Sequence, residues 1–352
     1  MNIEKLISKI APPDENAAAL CKQRWDSIAK PLFSLGLLEK AVIKISALTE
    51  NPLYKINKRA VVIMCADNGV VAQGVTQTDS SVTAIVARNF TTGDTSVCKM
   101  AKLARCTVVP VDIGIAADMS DCNIINKKIA YGTNDITICA AMTREQCENA
   151  ILTGIEIVRD LKAQGYKLIA TGEMGIGNTT TSSAVTAVLL NKKPKDVTGR
   201  GAGLSSDGLM RKIAAINKAI VHNKPDKSNP VDVLAKVGGY DIAGLAGVFL
   251  GGALYNVPVI IDGFISAAAA LAAARLCPNA AKAMLASHIS AEPAGQLILG
   301  ELGLKPFIAA EMCLGEGTGA VAAIPILDMA YAVYEEMSTF ADINIDNYVP
   351  LK

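Results

Sequence analysis

Residues 166–190, "YKLIATGEMGIGNTTTSSAVTAVLL", decide the fold, because a short apolar run leads through glycines into a helix-like segment. Continuous rather than alternating apolarity is typical of strands that are buried on both faces. Helix-length segments separate such runs along the chain, which predicts right-handed βαβ units. The predicted fold class is therefore α/β: doubly wound and Rossmann-like, mostly parallel, with helices on both faces. The predicted strands are "AVVIMC" (60–65), "CTVVPVDIG" (106–114), "YKLIATG" (166–172), "VPVIID" (257–262) and "PFIAA" (306–310).

The two ends of the chain show a different pattern. Residues 1–50 and 327–347 have the periodicity of amphipathic helices and contain no strand-like run. We expect a large catalytic α/β domain over residues 30–326. Residues 1–29 and 327–352 are expected to pair into a small helical domain.

Composition limits the kinds of partner. The chain has 352 residues and a formal net charge of +1, from 34 Lys and Arg against 33 Asp and Glu. This balance argues against nucleic-acid or membrane partners held by long-range charge, and it favours a small-molecule partner. The nine cysteines never show CxxC spacing, which predicts neither a zinc site nor a disulfide framework. The N-terminus lacks a signal-peptide pattern, and we expect a cytoplasmic protein.

Residues 242–276 are apolar for longer than a bilayer requires. However, Asn256, Pro258, Asp262 and Gly263 divide this stretch into helix, strand, loop and helix. The sequence therefore predicts no membrane span here.

Ligands of open parallel sheets bind beyond the carboxyl ends of the strands. After the 166–172 run, glycines permit close backbone approach, and polar side chains can cap a helix whose free N–H groups bind phosphate. An ordinary helix cap is the alternative, but it needs fewer polar side chains. The GK[ST] lysine of a P-loop is missing. The residues concerned are Gly172, Gly175, Gly177, Asn178, Thr179, Thr180, Thr181 and Ser182.

A second glycine-rich segment, "VTGRGAGLSSDGLMRKIAAI" (197–216), contains Gly203 and then enters a helix that carries Lys212. This lysine could reach a phosphate or a ribose, or it could be an ordinary solvated charge. Asp67, Asn68 and Gly69 follow the first predicted strand and are equally consistent with a turn.

Two further groups of polar residues follow the later runs. Asp262 ends "VIID", and "ASHISAEPAG" (286–295) brings together Ser287, His288, Ser290 and Glu292. His288 is as consistent with a structural role as with a functional one.

Glu316 lies between Gly315 and Gly317 in "CLGEGTGA" (313–320), after the last predicted strand. A partly desolvated carboxylate has a raised pKa, which suits a general base near neutral pH. The alternative is an acid at a helix N-terminus that the helix dipole favours. Spacing alone does not separate the two.

Six motifs in this order resemble the nicotinate-nucleotide:dimethylbenzimidazole phosphoribosyltransferases of cobamide biosynthesis. The resemblance covers roughly residues 30–330. The motifs are "GEMGIGNTTTSSAV", "GRGAGLSSDGLMRK", "GGYDIAGLAG", "VIIDGFISAAAA", "SHISAEPAG" and "LGEGTGA".

The resemblance implies transfer of the 5-phosphoribosyl group of nicotinate mononucleotide to a lower-ligand base, with inversion to an α-riboside phosphate and release of nicotinate. It implies that Glu316 is the base that deprotonates the acceptor, with Glu173 and Lys212 around the nucleotide. It implies no metal and no cofactor. The substrate-binding residues are expected to be Gly175, Ile176, Gly177, Asn178, Thr179, Thr180, Gly203, Ser290, Asp262, Asp67, Asn68, Thr78, Val86 and Leu314.

The sequence departs from the family pattern in the segments that line the acceptor. Asp67-Asn68-Gly69 replaces the usual Asp-His-Gly, Thr78-Asp79 replaces Ser-Pro or Tyr-Pro, and Val86 stands where Gln or Met is common. Both dimethylbenzimidazole-type bases and phenol or p-cresol therefore remain candidate acceptors. Phenolics are the acceptors of a related branch that pairs two such chains.

Family members are dimers in which the terminal helical domain of one subunit reaches the site of the other. Here the apolar 242–276 region would supply the interface, with an identical chain or a paralogue. A non-catalytic partner subunit is the alternative function, although such a subunit would be expected to lose one of Glu316, Glu173 and Lys212. A nucleotide-binding protein without transfer activity is a third possibility.

Overall fold

The structure, a computed structural model, describes residues 3–349 and contains one six-stranded parallel sheet. Residues 1, 2 and 350–352, which belong to the predicted small domain, lie outside the described residues. The strands are β1 Arg59–Ala66, β2 Cys106–Gly114, β3 Ile125–Asn126, β4 Leu168–Met174, β5 Val259–Ile261 and β6 Met284–Ala286. The helices are α1 Ile3–Ile7, α2 Glu15–Ser27, α3 Leu37–Thr49, α4 Ser81–Thr92, α5 Ser96–Leu103, α6 Arg144–Ala163, α7 Asn178–Leu189, α8 Pro194–Val197, α9 Ser206–Asn223, α10 Pro230–Val237, α11 Tyr240–Leu254, α12 Phe264–Leu276, α13 Pro293–Glu301 and α14 Thr318–Glu336.

The strand order is β3-β2-β1-β4-β5-β6, and all neighbours run parallel. The chain builds outward from β1 to β2 and β3 on one side and then returns to place β4 on the other side. β1 and β4 therefore flank the topological switch point, where open α/β sheets bind their ligands. The α/β class and four of the five predicted strands are confirmed.

The central strand β1 is buried along its whole length. Its residues alternate between two cores: Val62 and Met64 join the larger core, whereas Val61 and Ile63 join the other. Helices α6, α7, α11 and α12 supply the first core, and α3, α5 and α14 supply the second. Helices on both faces explain why the predicted strands read as continuously apolar.

The prediction of a strand over residues 306–310 is wrong. Ile308 forms only an isolated bridge with His288, and the chain turns at Glu311, whose φ is +52°. The edge strand is β6, whose three residues Met284–Ala286 are too few for a periodic signal. Strand β3, with two residues, was not predicted for the same reason.

The apolar 242–276 stretch divides into α11, β5 and α12, in the predicted order of helix, strand, loop and helix. Within residues 3–349, no helix is both long enough and apolar enough to cross a bilayer. The subunit interface predicted for this stretch stays a prediction, but its α11 part cannot supply one. Residues 240–253 of α11 are all buried inside the subunit, where they pack against α6 and the sheet.

Helices from the two ends of the chain lie together. The rings of Trp25 in α2 and Tyr334 in α14 have centroids 5.0 Å apart, and Arg24 Nε donates to the Tyr334 carbonyl oxygen. Helix α14 begins at Thr318 and ends at Glu336, so it crosses the expected boundary at 326 and stops before 347. The division into two domains stays a prediction.

Candidate active site

A cavity of about 320 Å³ opens beyond the carboxyl ends of β4 and β5, beside the switch point. Its volume is at the lower end of the range typical of small-molecule sites. Most of the predicted site residues lie in its wall. They are Glu173, Gly175, Ile176, Gly177, Asn178, Thr179, Lys212, Asp262, Ser290, Leu314, Glu316, Thr78 and Val86.

Four predicted residues do not line the cavity. Asp67 and Asn68 are buried at the end of β1, where Asp67 Oδ2 accepts a hydrogen bond of 2.8 Å from the Ala116 N–H. Thr180 is fully buried in α7. Gly203 lies just outside the cavity, and its carbonyl oxygen accepts a hydrogen bond from the Gln77 side chain.

Several helices begin at this cavity. Gly177 precedes α7 with a φ of +93°, and the next two residues, Asn178 and Thr179, line the cavity. Gly263 precedes α12, and Gly317 precedes α14. Helix starts carry partial positive charge and free N–H groups, so the start of α7 favours an anionic ligand, whereas N–H groups at the start of α14 already donate to Asp262.

Gly172 on β4 and Gly175 just after it serve the protein's own packing. A Cβ atom on Gly172 would lie 2.5 Å from the Glu316 carbonyl oxygen, and one on Gly175 would lie 2.8 Å from Asp241 Oδ2. The close approach that the sequence predicted is therefore made to protein atoms at these two positions. Thr181 and Ser182 are also fully buried, and they do not face the cavity.

Lys212 is a buried charge in α9. Its side chain is fully enclosed, and Nζ donates a hydrogen bond of 2.7 Å to Thr179 Oγ1 at the start of α7. Burial lowers the pKa of this ammonium from 10.5 to about 8, while the charge of Glu292 opposes the shift. The alternative of a solvated lysine is excluded by its burial. At neutral pH, Lys212 provides a desolvated cation beside the start of α7.

Glu316 lies in a run of left-handed residues. Gly315, Glu316 and Gly317 have φ values of +88°, +62° and +94°. A non-glycine residue in this region costs on the order of 1–3 kcal/mol, and such strain persists where the surroundings fix it. The strained turn holds the Glu316 side chain at the cavity wall.

The Glu316 side chain lies in a partly desolvated environment. The residue is partly buried, and Oε2 accepts a hydrogen bond of 3.4 Å from the Val97 N–H in the first turn of α5. Burial raises the pKa of the carboxyl above 4.5, and the bond from Val97 opposes this shift. A carboxylate of this kind is a competent general base.

Asp262 anchors the segment that carries Glu316. It is buried at the end of β5 and accepts backbone hydrogen bonds of 3.2 Å from Gly317 and 2.9 Å from Ala320. Burial raises its pKa to about 6, and these backbone donors oppose the shift. Asp262 thus caps α14 and also lines the cavity.

Glu292, Arg200 and His288 are among the lining residues to which the sequence analysis assigned no function. Glu292 precedes α13, and its Oε1 accepts a hydrogen bond of 2.9 Å from the Gly201 N–H, which ties down the second glycine-rich loop. Arg200 donates to the Leu204 carbonyl oxygen within that loop. The Ser287 hydroxyl and His288 Nδ1 lie 3.0 Å apart. In the sequence, an acid directly before Pro293 could have indicated that Glu292 lies at a helix start, since acids favour helix starts.

Fold and site define an α/β protein with a small-molecule cavity at the switch point of a Rossmann-like sheet, with the Lys212 ammonium and the start of α7 on one side. The family described as "Phosphoribosyltransferase" matches residues 10–345, and the chain belongs to this family. It is a phosphoribosyltransferase, which is a kind of pentosyltransferase.

Named relatives and solved structures agree with this membership. The chain is 46% identical to the nicotinate-nucleotide–dimethylbenzimidazole phosphoribosyltransferase of Clostridium acetobutylicum and 47% identical to that of Ruminiclostridium cellulolyticum, with 100% of both chains covered in each case. The crystal structure of CobT from Thermus thermophilus superimposes with a TM-score of 0.90 at 36% identity. That match covers 95% of this chain and 100% of the other.

Proposed function

We propose that the protein transfers the 5-phosphoribosyl group of nicotinate mononucleotide to an aromatic lower-ligand base of a cobamide. The product is an α-riboside phosphate, and nicotinate is released. The observation that carries the proposal is the position of Glu316, which lines the same cavity as Lys212 and the start of α7. The names of relatives that are 46–47% identical over their full length support the substrate pair.

The phosphate of the nucleotide is proposed to bind at the start of α7. Asn178 and Thr179 lie there with the Lys212 ammonium, and helix start and cation together favour a phosphate. Gly175, Ile176, Gly177 and Ser290 would contact the rest of the nucleotide. Holding the sugar in this way supplies the proximity that a two-substrate reaction needs.

Glu316 is proposed to be the base. The bond between ribose C1′ and the pyridinium nitrogen breaks, and its electron pair leaves with nicotinate, so the departing ring needs no proton. The acceptor attacks C1′ from the opposite face, which inverts the configuration. The acceptor's N–H or O–H proton passes to the Glu316 carboxylate. General-base catalysis of this kind contributes about 10²- to 10⁴-fold.

The acceptor is proposed to be a dimethylbenzimidazole-type base or a phenol such as p-cresol. Names of the relatives support dimethylbenzimidazole. Apolar side chains of Val86, Ile176 and Leu314 in the cavity wall suit a ring with few polar atoms and so also support a phenol. Thr78 also lines this part of the cavity. Asp67 and Asn68 are buried and do not line it, so they could affect the acceptor only through the residues of the wall.

A non-catalytic partner subunit is the alternative, and the joint presence of Glu316, Glu173 and Lys212 in one cavity favours the active enzyme. A dimer, with an identical chain or a paralogue, belongs to the proposal. A cytoplasmic location stays a prediction.

The proposal is tested by incubating the purified chain with nicotinate mononucleotide and either dimethylbenzimidazole or phenol, with and without a paralogous chain. Mass spectrometry of the product identifies the acceptor, and NMR of the anomeric proton identifies the α-linkage. We expect nicotinate release matched by riboside phosphate from the chain alone. Turnover only in the presence of an active paralogue would support the partner-subunit function instead.

A further inference from the structure

A buried pair of carboxyl groups lies behind the candidate active site. Glu173 is on β4 and lines the cavity, whereas Asp241 is in the first turn of α11 and is fully buried. One amide group joins the two. The Asn178 side-chain nitrogen donates to Glu173 Oε2 and also, over 3.1 Å, to Asp241 Oδ2.

Asp241 is fixed more firmly than its partner. Its Oδ1 accepts a hydrogen bond of 3.0 Å from the Ile242 N–H, and Gly175 leaves space for its Oδ2 because it lacks a side chain. Asn178 links Glu173 to Asp241, and on its other side Glu173 Oε1 lies beside Gly315, 2.5 Å from where a Cβ atom on that glycine would be. Asp241 and Asn178 therefore determine where the Glu173 carboxyl group points.

The charges that act on this pair are negative. Asp241, Asp262 and Glu316 act on Glu173, and Asp67 acts on Asp241. Burial, followed by these acids, raises the pKa of Glu173 to about 8, and burial raises that of Asp241 to about 7. The buried Cys65 thiol, on β1 next to β4, is also affected by both carboxyls. Two like charges in one desolvated site do not both ionise near neutral pH.

We propose that Asp241 is a positioning residue for phosphoribosyl transfer: through Asn178 it orients Glu173, and its negative charge favours the protonated form of Glu173, so that Glu173 meets the bound nucleotide as a neutral carboxyl group. This inference rests on the proposed function. A neutral Glu173 can donate a hydrogen bond to a ribose or phosphate oxygen, which an ionised one would repel. It also leaves Glu316 as the basic carboxylate on the acceptor side.

Infrared spectroscopy of the full-length protein tests the protonated state of Glu173 without any requirement for turnover. At pH 7 we expect the C=O stretch of a protonated buried carboxyl group in the wild-type protein and its loss in Glu173→Gln. In Asp241→Asn, the remaining carboxyl loses a like-charged neighbour, so the band should titrate away at lower pH than in the wild type. A wild-type spectrum without this band, or a band that neither substitution alters, would overturn the proposal.

The pH profile of kcat tests the functional part. Measurement at saturating nicotinate mononucleotide removes effects of Lys212 on binding. We expect the alkaline limb, where Glu173 loses its proton, to move about one pH unit lower in Asp241→Asn. The control is Asp207→Asn, an exposed acid in the first turn of α9, which should not move the limb.

A purely structural role for Asp241 predicts a different result. The melting temperature and kcat would then fall at every pH with an unshifted alkaline limb, and this result would contradict the proposal. Failure of the proposed function is separately visible. A wild-type protein that forms no riboside phosphate would refute the transfer reaction. The infrared spectrum would still show whether the buried carboxyl group is protonated.

Discussion

Asp262 Oδ2 accepts a hydrogen bond of 3.2 Å from the backbone N–H of Gly317, the residue that follows Glu316. This contact, with the second bond from the Ala320 N–H, joins the end of β5 to the start of α14. Glu316 is thereby held at the cavity by an acid that is 54 residues earlier in the chain. The position of the proposed base depends on this anchor.

Substitution Asp262→Ala should lower stability and transfer together. It leaves two buried backbone N–H groups without their acceptor, at a cost of about 2–6 kcal/mol. It also frees the Glu316 segment, so kcat should fall more than affinity for nicotinate mononucleotide. Thermal melting and steady-state kinetics measure both effects.

The matched control for Asp262→Ala is Asn229→Ala. Asn229 caps α10 by accepting from the Asp232 N–H and does not line the cavity. Its loss should cost about 1 kcal/mol and leave kcat unchanged. Equal losses of kcat in the two variants would argue that Asp262 acts only through global stability.

The substitution Gly317→Ala should disturb the site more than the same substitution at another glycine with positive φ. Gly317 has a φ of +94°, and a Cβ atom there would lie 3.0 Å from the Thr171 carbonyl oxygen and 2.7 Å from a methyl group of Val61. Gly93 also has a positive φ, of +78°, but its Cβ would meet nothing within 4 Å. Gly93→Ala therefore controls for backbone strain alone. We expect a larger drop in melting temperature and a large loss of kcat only in Gly317→Ala.

Lys212→Met should weaken nucleotide binding and raise thermal stability. A charge-assisted hydrogen bond to phosphate is worth about 1.5–3 kcal/mol, which corresponds to a KM increase of about 10- to 150-fold. The folded-state pKa of about 8 lies below the usual 10.5, so the unfolded chain binds the proton more tightly. Burying this charge therefore costs stability at pH 7, and the cost diminishes as the pH rises from about 8 to 10.5.

The control for this variant is Lys218→Met, on the exposed face of the same helix. It should leave KM and melting temperature nearly unchanged. For the wild type, affinity for nicotinate mononucleotide should decline as the pH rises through about 8, where Lys212 loses its charge. Affinity that is constant from pH 7 to 9.5 would count against a phosphate contact by Lys212.

The fall of kcat at acid pH should reflect protonation of Glu316. A base must be ionised to accept a proton, and burial raises the pKa of Glu316 above 4.5. The rate should therefore fall as the pH drops through a value above 4.5. The measurement is kcat with saturating substrates, corrected for protonation of the acceptor, with circular dichroism at each pH to monitor folding. A rate that stays constant down to pH 4.5 would contradict the assignment.

Local patterns were sufficient for much of this architecture. The continuous apolarity of β1, β2, β4 and β5 predicted buried parallel strands, and the residues after β4 predicted a helix start at the ligand site. Glu316 was recognisable because a charge between two glycines after an apolar run is unusual.

Contacts between distant parts of the chain were not predictable. Asp241 lies 63 residues from Asn178, and nothing within "GGYDIAGLAG" indicates that its carboxylate meets a side chain of α7. Likewise, the 306–310 run is as apolar as a strand. Only the strand pairing in the structure shows that Met284–Ala286, and not this run, occupies the sheet edge. Burial of Thr180 is also a tertiary effect, since packing against neighbouring helices decides which side of α7 faces the cavity.

The central claim is tested most directly by measuring two properties of the Glu316→Gln variant, its turnover and its affinity for nicotinate mononucleotide. Calorimetry should give an unchanged Kd, while product formation falls about 10²- to 10⁴-fold because the acceptor's proton has no base to receive it. Glu311→Gln, an exposed acid five residues earlier, is the control and should keep full activity. Wild-type turnover in Glu316→Gln would contradict the account.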